Sequence, residues 1–314
     1  MVSPQLDAEP IGVLCGPTAV GKTALAVALA ERFGAEIICA DSRTIYRGMD
    51  IGTAKPDAAL RARIKHHLVD VAEPSDVFTV ADFQRLASGV IRDIRARGRV
   101  PLLVGGTGLY IRAVVDDLAL PRVAPDHELR SRLSAEDAAD PGALHRRLTR
   151  LDPTAASRIH PANVRRVVRA LEVIDATERP ISEQQRRGGR PLRAAMLGLT
   201  AERSELYRRI DARVDAQFAS GLVDETRRLL SLGIPSTAPS LQALGYREVS
   251  GWMQGAYAYE DAVRLLKRNA RRYAKRQLTW FRRDPRIRWI DVTGLTEEAL
   301  LARAHAMMGL LRAT

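Results

Sequence analysis

Gly16-Pro17-Thr18-Ala19-Val20-Gly21-Lys22-Thr23 fits the spacing G-x-x-x-x-G-K-[ST], and its flanks decide how it is read. Residues 11–15 before it (IGVLC) are an apolar run of strand length. Residues 22–33 after it have helical periodicity that stops at Gly34. Strand, glycine-rich turn and helix in that order form the P-loop context, in which backbone N–H groups and a helix N-terminus close around an anionic oxygen. In such a loop the lysine, here Lys22, reaches the phosphates, and the hydroxyl of Thr23 can ligate Mg²⁺.

Working outward, residues 36–40, 67–71 and 100–104 read as a second, third and fourth strand. Thr79, with Asp82 three residues on, opens a helix that runs to Gly98. Near-continuous apolar strands separated by helices predict a parallel sheet covered on both faces. Ligands of such sheets bind outside the carboxyl ends of the strands. Over 118–193 the character changes: seven prolines from Pro121 to Pro191 separate short helical patterns, with no β-like run. Residues 194–199 then return as a core strand. Helices follow at 204–220, 223–231, 241–254 and 261–281, then a strand at 287–292 and a helix opened by Thr296. The expected fold is α/β, a P-loop NTPase-like parallel sheet flanked by helices. Its core is residues 1–117 and 194–314, and residues 118–193 are an all-helical insertion domain.

The chain of 314 residues, 46% hydrophobic and 27% charged, has the composition of an ordered globular protein. No run approaches the length of a membrane span, and residues 1–10 read as neither a signal peptide nor an anchor. Cys15 and Cys39 fall in apolar runs without a CxxC partner, which suggests neither a disulfide framework nor a zinc knuckle and fits a reducing cytoplasm. With 49 Lys and Arg against 37 Asp and Glu the chain carries +12, so a polyanionic partner is one reading of its charge and source-genome composition another. Clustering favours the former: residues 264–288 hold eleven basic residues and one acid, and Arg186, Arg187, Arg190 and Arg193 form a second group.

A P-loop by default binds a nucleoside triphosphate, but the fourth strand runs into Gly105-Gly106-Thr107 where such enzymes commonly place a metal-binding acid. The acid stands instead at the tip of the second strand, Asp41. On the residues alone Asp41 is either a turn-capping carboxylate or a base.

Three blocks together resemble the tRNA dimethylallyltransferase family, also called tRNA isopentenyltransferases: GPTAVGKT at 16–23, DSRTIYRGMDIGTAKP at 41–56 and LLVGGTGLY at 102–110. RIHPANVRRVVRALEV at 158–173, LGYRE at 244–248 and KRQLTWFRRDPRIRWID at 275–291 agree, so the resemblance spans nearly the whole chain. It implies transfer of a dimethylallyl group from its diphosphate to the exocyclic N6 of an adenosine next to the anticodon of tRNA (position 37), with Mg²⁺ as cofactor. By this resemblance residues 16–23 hold the diphosphate, Asp41 is the general base, Thr107 touches the target base or its sugar-phosphate, and Arg213 faces the active site. Ser42, Arg43, Thr44, Arg130, Arg165, Arg166, Arg169, Gln242, Gly245, Tyr246 and Arg247 occupy positions that meet the anticodon arm. His66 matches a family histidine, yet adjacent His66 and His67 point to opposite faces of a strand and are poor joint metal ligands.

The helix over 261–281 carries Arg264, Arg268, Arg271 and Lys275 opposite a stripe of Val263, Leu266, Ala270, Tyr273 and Trp280. The stripe reads as core packing, and the basic face suits RNA or water equally. Val20, Thr44 and Gln242 depart from the commonest family residues. The competing enzyme is a nucleoside or nucleotide kinase of the same fold, and a further alternative is an RNA-binding ATPase module. A monomer is expected, since no long apolar association surface is evident.

Overall fold

The computed structural model describes residues 10–121, 123–184 and 189–309; Arg186 and Arg187 of the second basic cluster, and nearly all of the opening segment, lie outside the described residues. Six strands, β1 (Ile11–Cys15), β2 (Ala35–Ala40), β3 (His66–His67), β4 (Val100–Gly105), β5 (Ala194–Thr200) and β6 (Arg288–Asp291), form one sheet in the order β3-β2-β4-β1-β5-β6. Every pairing is parallel.

The helices are α1 (Lys22–Phe33), α2 (Ala58–Arg63), α3 (Val80–Ala96), α4 (Gly108–Val115), α5 (His127–Ala139), α6 (Ala143–Leu151), α7 (Pro153–Ala156), α8 (Val164–Thr177), α9 (Ile181–Gln184), α10 (Arg203–Ala219), α11 (Leu222–Ser231), α12 (Tyr246–Met253), α13 (Tyr259–Phe281) and α14 (Glu297–Met307). None is long and apolar enough to cross a membrane. The chain divides into two compact units, one comprising residues through Val115 with Leu192 onward, the other Asp116–Pro191.

In the first unit each sheet face carries its own core. Leu25 and Leu29 of α1, Leu206 and Ile210 of α10 and Ala270 and Ala274 of α13 cover one face; Phe83, Ile91 and Ile94 of α3 and Ile111 and Val114 of α4 cover the other. Burial on both faces is why β1 reads as unbroken IGVLC instead of alternating. The capping box of Thr79 and Asp82 is present, with Thr79 Oγ1 accepting from Asp82 N–H at 3.2 Å.

Two expected elements differ. The third strand stops at His67, because Leu68 and Asp70 adopt left-handed φ of 60° and 57°. The turn directs the Asp70 carboxylate onto the buried ammonium of Lys55, at 2.6 Å, and onto Arg61, at 2.8 Å. The helix expected over 241–254 begins only at Tyr246. Gly245, at φ 94° and ψ −62°, breaks the helical path, and its N–H is taken by Glu248 Oε2 at 2.9 Å.

The second unit is all-helical among its described residues, α5 to α9 closing on Leu133, Leu144, Leu148, Val167 and Leu171. Its polar centre is Glu172, whose carboxylate accepts from Asp126 N–H at 2.7 Å, from Arg130 Nε and Nη2 at 2.8 Å each, and from Arg169 Nη1 at 2.5 Å. Burial alone would raise the Glu172 carboxyl, but the bonds from Arg130 and Arg169 hold it below its usual range. The Glu172 side chain is 1% exposed, against 35% and 33% for its arginines. Glu172→Ala is therefore expected to destabilise the protein by about 2–3 kcal/mol, less than for a wholly buried pair, because both guanidinium groups can regain water. Denaturant unfolding checks this; an unchanged midpoint would show that the triad contributes nothing net.

Candidate functional site

The P-loop leaves β1 at Cys15 and enters α1 at Lys22 through three left-handed residues, Gly16 (φ 145°), Ala19 (φ 62°) and Gly21 (φ 103°). At Gly16 a Cβ would stand 2.7 Å from the Leu199 carbonyl oxygen of neighbouring β5, so only glycine fits. Gly21 caps α1 without any side-chain bond, leaving first-turn N–H groups to an outside acceptor. Lys22 Nζ curls over the loop, donating to the carbonyls of Gly16 (3.0 Å) and Pro17 (2.6 Å).

A cavity of about 330 Å³ opens beside this loop, within the first unit. Thr18, Lys22 and Thr23 line it from the P-loop, and Asp41, Ser42, Arg43 and Thr44 from the end of β2. Arg213 of α10, Gln242 and Arg247 complete the expected residues on its wall. Gly16, Pro17, Ala19, Val20 and Gly21 shape the loop without lining the cavity; Val20 is buried in the core. Apolar lining comes from Ala26, Ile37, Cys39, Ile210, Val214 and Leu266. The cavity thus joins a cationic, anion-accepting end to apolar walls and a carboxylate.

Asp41 follows the last residue of β2. Its Oδ1 accepts the N–H of Arg43 at 2.8 Å, the turn-capping role, while among the described residues Oδ2 accepts no hydrogen bond. Thr107, just past β4, donates its N–H to the Ala40 carbonyl at 3.2 Å, and its Oγ1 accepts from Ser42 N–H at 3.1 Å. These bonds tie the β2 and β4 tips together, so Thr107 stands behind the Asp41–Ser42 turn. Arg43 is braced by Pro239 O at 2.5 Å, and Thr44 is buried with its hydroxyl unpartnered.

Electrostatics link these groups. Burial, and then the charge of Arg213, lowers the Lys22 ammonium to about 8, with Asp41 partly opposing. Burial likewise lowers Arg213, and Asp41 offsets it. Lys22 and Arg213, with Arg43, Arg247 and Arg276 also on the wall and Asp41 the one carboxylate lining it, make a cavity that attracts a further anion. Cys39 also lines the cavity, but burial pushes its thiol up to about 12, which leaves it protonated and unreactive.

Several expected contacts stand elsewhere. Tyr246 is fully buried, its hydroxyl donating to Glu225 Oε1 at 2.6 Å, and neither Tyr246 nor Gly245 lines the cavity. Arg130 and Arg169 are committed to Glu172, whereas Arg165 and Arg166 are exposed on α8. Of the basic face of α13, Arg264 pairs with Asp261 and Arg271 with Asp211. His66 lines the cavity, Nδ1 facing the Ile64 carbonyl at 2.7 Å, while His67 meets Glu36 at 2.6 Å.

Residues that sequence reasoning missed come mainly from α13. Tyr273, read as core, lines the cavity beside Thr107 and Asp41; burial first and then Asp41 push its phenol up, so it stays neutral. Arg276 and Gln277 line it too, and Gln217 of α10 holds the Ile51 and Gly52 carbonyls at 2.8 and 3.0 Å. The available signal was the spacing of Tyr273, Arg276 and Gln277 at i, i+3 and i+4, which places all three on one helical face.

A family model described as IPP transferase matches residues 44–284. The tRNA dimethylallyltransferase of Symbiobacterium thermophilum is 51% identical over 288 residues, covering 91% of this chain and 90% of the relative. Among solved structures, the full-length tRNA isopentenylpyrophosphate transferase from Bacillus halodurans superposes with a TM-score of 0.74 at 45% identity, covering 96% of this chain and 97% of that one. A eukaryotic dimethylallyltransferase, captured in crystallographic snapshots acting on tRNA, gives a TM-score of 0.80 at 28% identity, covering 95% and 78%.

Proposed function

This chain belongs to the IPP transferase family, and on that footing we propose that it transfers a dimethylallyl group from dimethylallyl diphosphate to the exocyclic N6 of an adenosine next to the anticodon of tRNA, position 37, releasing diphosphate. The observation that carries the reading is the cavity in which Lys22 and Thr23 face the same space as Asp41, between apolar walls. Apolar walls beside an anion-accepting loop and a carboxylate suit a five-carbon allylic chain carried on a diphosphate.

In this reading the P-loop N–H groups, Lys22 and Arg213 hold the diphosphate. As the allylic C–O bond breaks, its electron pair goes to the diphosphate oxygen, where those groups stabilise the growing charge. The N6 lone pair forms the new C–N bond, and Asp41 Oδ2, the carboxylate oxygen left without a partner, takes the proton that N6 loses. The exposed Thr23 hydroxyl is a hard oxygen donor on the cavity wall and would be this chain's contribution to holding a Mg²⁺, which leaves the Asp41 carboxylate to act as the base. Bound there, Mg²⁺ would neutralise charge on the departing diphosphate. Ser42, Arg43, Thr44, Gln242 and Arg247 form the acceptor-side wall, and Arg165 and Arg166 are exposed for phosphate contacts. We place the protein in the cytoplasm as a monomer, in keeping with two buried, unpaired cysteines.

Incubation with Mg²⁺, dimethylallyl diphosphate and unmodified tRNA, followed by digestion and mass spectrometry, is expected to yield N6-dimethylallyladenosine. Consumption of ATP without prenylated nucleoside would overturn the reading in favour of a kinase or ATPase.

A further inference from the structure

Gln277, on α13, is 5% exposed and stands between the two loops that the transfer reaction must hold in register. Its Oε1 accepts the N–H of Thr18 in the P-loop at 2.9 Å, and its Nε2 donates to the carbonyl of Gly106, the residue before Thr107, at 2.9 Å. Because one partner is an N–H and the other a C=O, the orientation of the amide is fixed by chemistry. A carboxylate could satisfy only the first partner, a thioether neither, and asparagine is one methylene too short. Gly106 is crowded against this bridge: a Cβ there would overlap Gln277 Nε2 and stand 3.6 Å from the Gly16 carbonyl oxygen.

The bridge has a consequence for the P-loop. The Thr18 N–H, which a phosphate-binding loop would ordinarily turn toward its anion, is claimed by a side chain 259 residues away. One end of the amide therefore ties the loop that retains the leaving group. The other ties the strand tip whose next residue, Thr107, braces the Asp41–Ser42 turn.

Building on the prenyl-transfer reading, we infer that Gln277 is a positioning residue that sets the gap between donor carbon and acceptor nitrogen, acting through Thr18 and Gly106, which occupy both ends of its amide. Reacting atoms must lie within about 3–3.5 Å, and a misplacement near 1 Å can cost about 10²-fold in rate.

The test compares the parent protein with Gln277→Glu and Gln277→Met, measuring thermal midpoint, calorimetric affinity for dimethylallyl diphosphate with Mg²⁺, and the single-turnover rate of tRNA prenylation across pH. Both variants are expected to fold and to bind donor within about threefold of the parent, yet to transfer about 10²-fold more slowly at neutral pH. The variant-to-parent rate ratio of Gln277→Glu should rise as pH falls, because a protonated carboxyl can accept from Thr18 and donate to Gly106; that of Gln277→Met should stay flat. Parental rates in Gln277→Glu at neutral pH, a rate loss matched by lost donor affinity, or unfolding of both variants would each assign Gln277 to packing and overturn the inference. A parent that binds donor but transfers nothing would refute the prenyl-transfer reading itself, and the inference with it.

Discussion

Asp41→Asn lowers the rate constant of prenyl transfer by about 10³-fold, the range expected for loss of a positioned base, while affinity for dimethylallyl diphosphate stays within a few-fold. Asparagine is the informative replacement because its side-chain carbonyl still accepts the Arg43 N–H now bonded to Asp41 Oδ1. The turn after β2 is thereby preserved, and only the ability to take a proton is removed. The exocyclic amine of adenine is a poor nucleophile, its lone pair delocalised into the ring, so loss of the base falls on the chemical step. Single-turnover kinetics beside a binding isotherm separate the two quantities. An Asn variant that transfers at the parental rate would assign Asp41 to turn geometry alone.

Lys22→Met weakens binding of dimethylallyl diphosphate by about 1.5–3 kcal/mol, the loss of a hydrogen bond from a charged donor, which is roughly 10- to 150-fold in dissociation constant. A pH signature accompanies it. Burial and the neighbouring Arg213 lower the Lys22 ammonium to about 8, and an anionic ligand favours the protonated form. Donor affinity is accordingly full below pH 8 and declines above it, by about tenfold per pH unit at most. With methionine in place the profile over that window flattens. Titrations between pH 7 and 9.5 check both points, and a parental profile retained in Lys22→Met would remove Lys22 from the donor site.

The arrangement that generates both predictions was unevenly legible in the chain. The P-loop was readable because its chemistry demands fixed residue types within eight consecutive positions, between a strand and a helix. Asp41 was readable for a similar reason: it stands directly after an apolar strand, where a parallel sheet exposes its ligand-binding edge. The bounds of β4, β5 and α13 followed from periodicity, and Thr79 with Asp82 marked the start of α3 by a local hydrogen-bond pattern. The helices α2 and α4 were not anticipated. The premature end of β3 depended on Lys55, buried beneath Asp70 fifteen residues later in sequence.

Side-chain roles were harder to read than element types. Tyr246 lies in a polar stretch, LGYRE, that suggests an exposed contact, yet Glu225 on another helix supplies a partner for its hydroxyl and draws it inside. That carboxylate also accepts from the N–H groups of Asp50, Ile51 and Gly52 at 2.9–3.2 Å, so Tyr246 belongs to the support of the 50–54 turn. Arg130 and Arg169 carry the same charge as Arg165 and Arg166. Only the burial of Glu172 between the first two separates structural arginines from exposed ones.

By itself, the sequence determined the strand–loop–helix unit at the P-loop, the parallel sheet, the helical nature of the described part of residues 118–193 and the identity of the strand-end carboxylate. Each of these is encoded by neighbours a few residues apart, through periodicity, capping and turn chemistry. Which groups face the cavity, which arginines are spent on Glu172, and which side chain spans Thr18 and Gly106 were decided only in the tertiary structure. A side chain's partner is set by through-space distance, and Gln277 meets loops that follow strands far from it in the chain. Spacing along α13 puts Gln277 on the face of Leu266, Ala270 and Phe281, but which two backbone groups its amide meets is written nowhere near it in the chain.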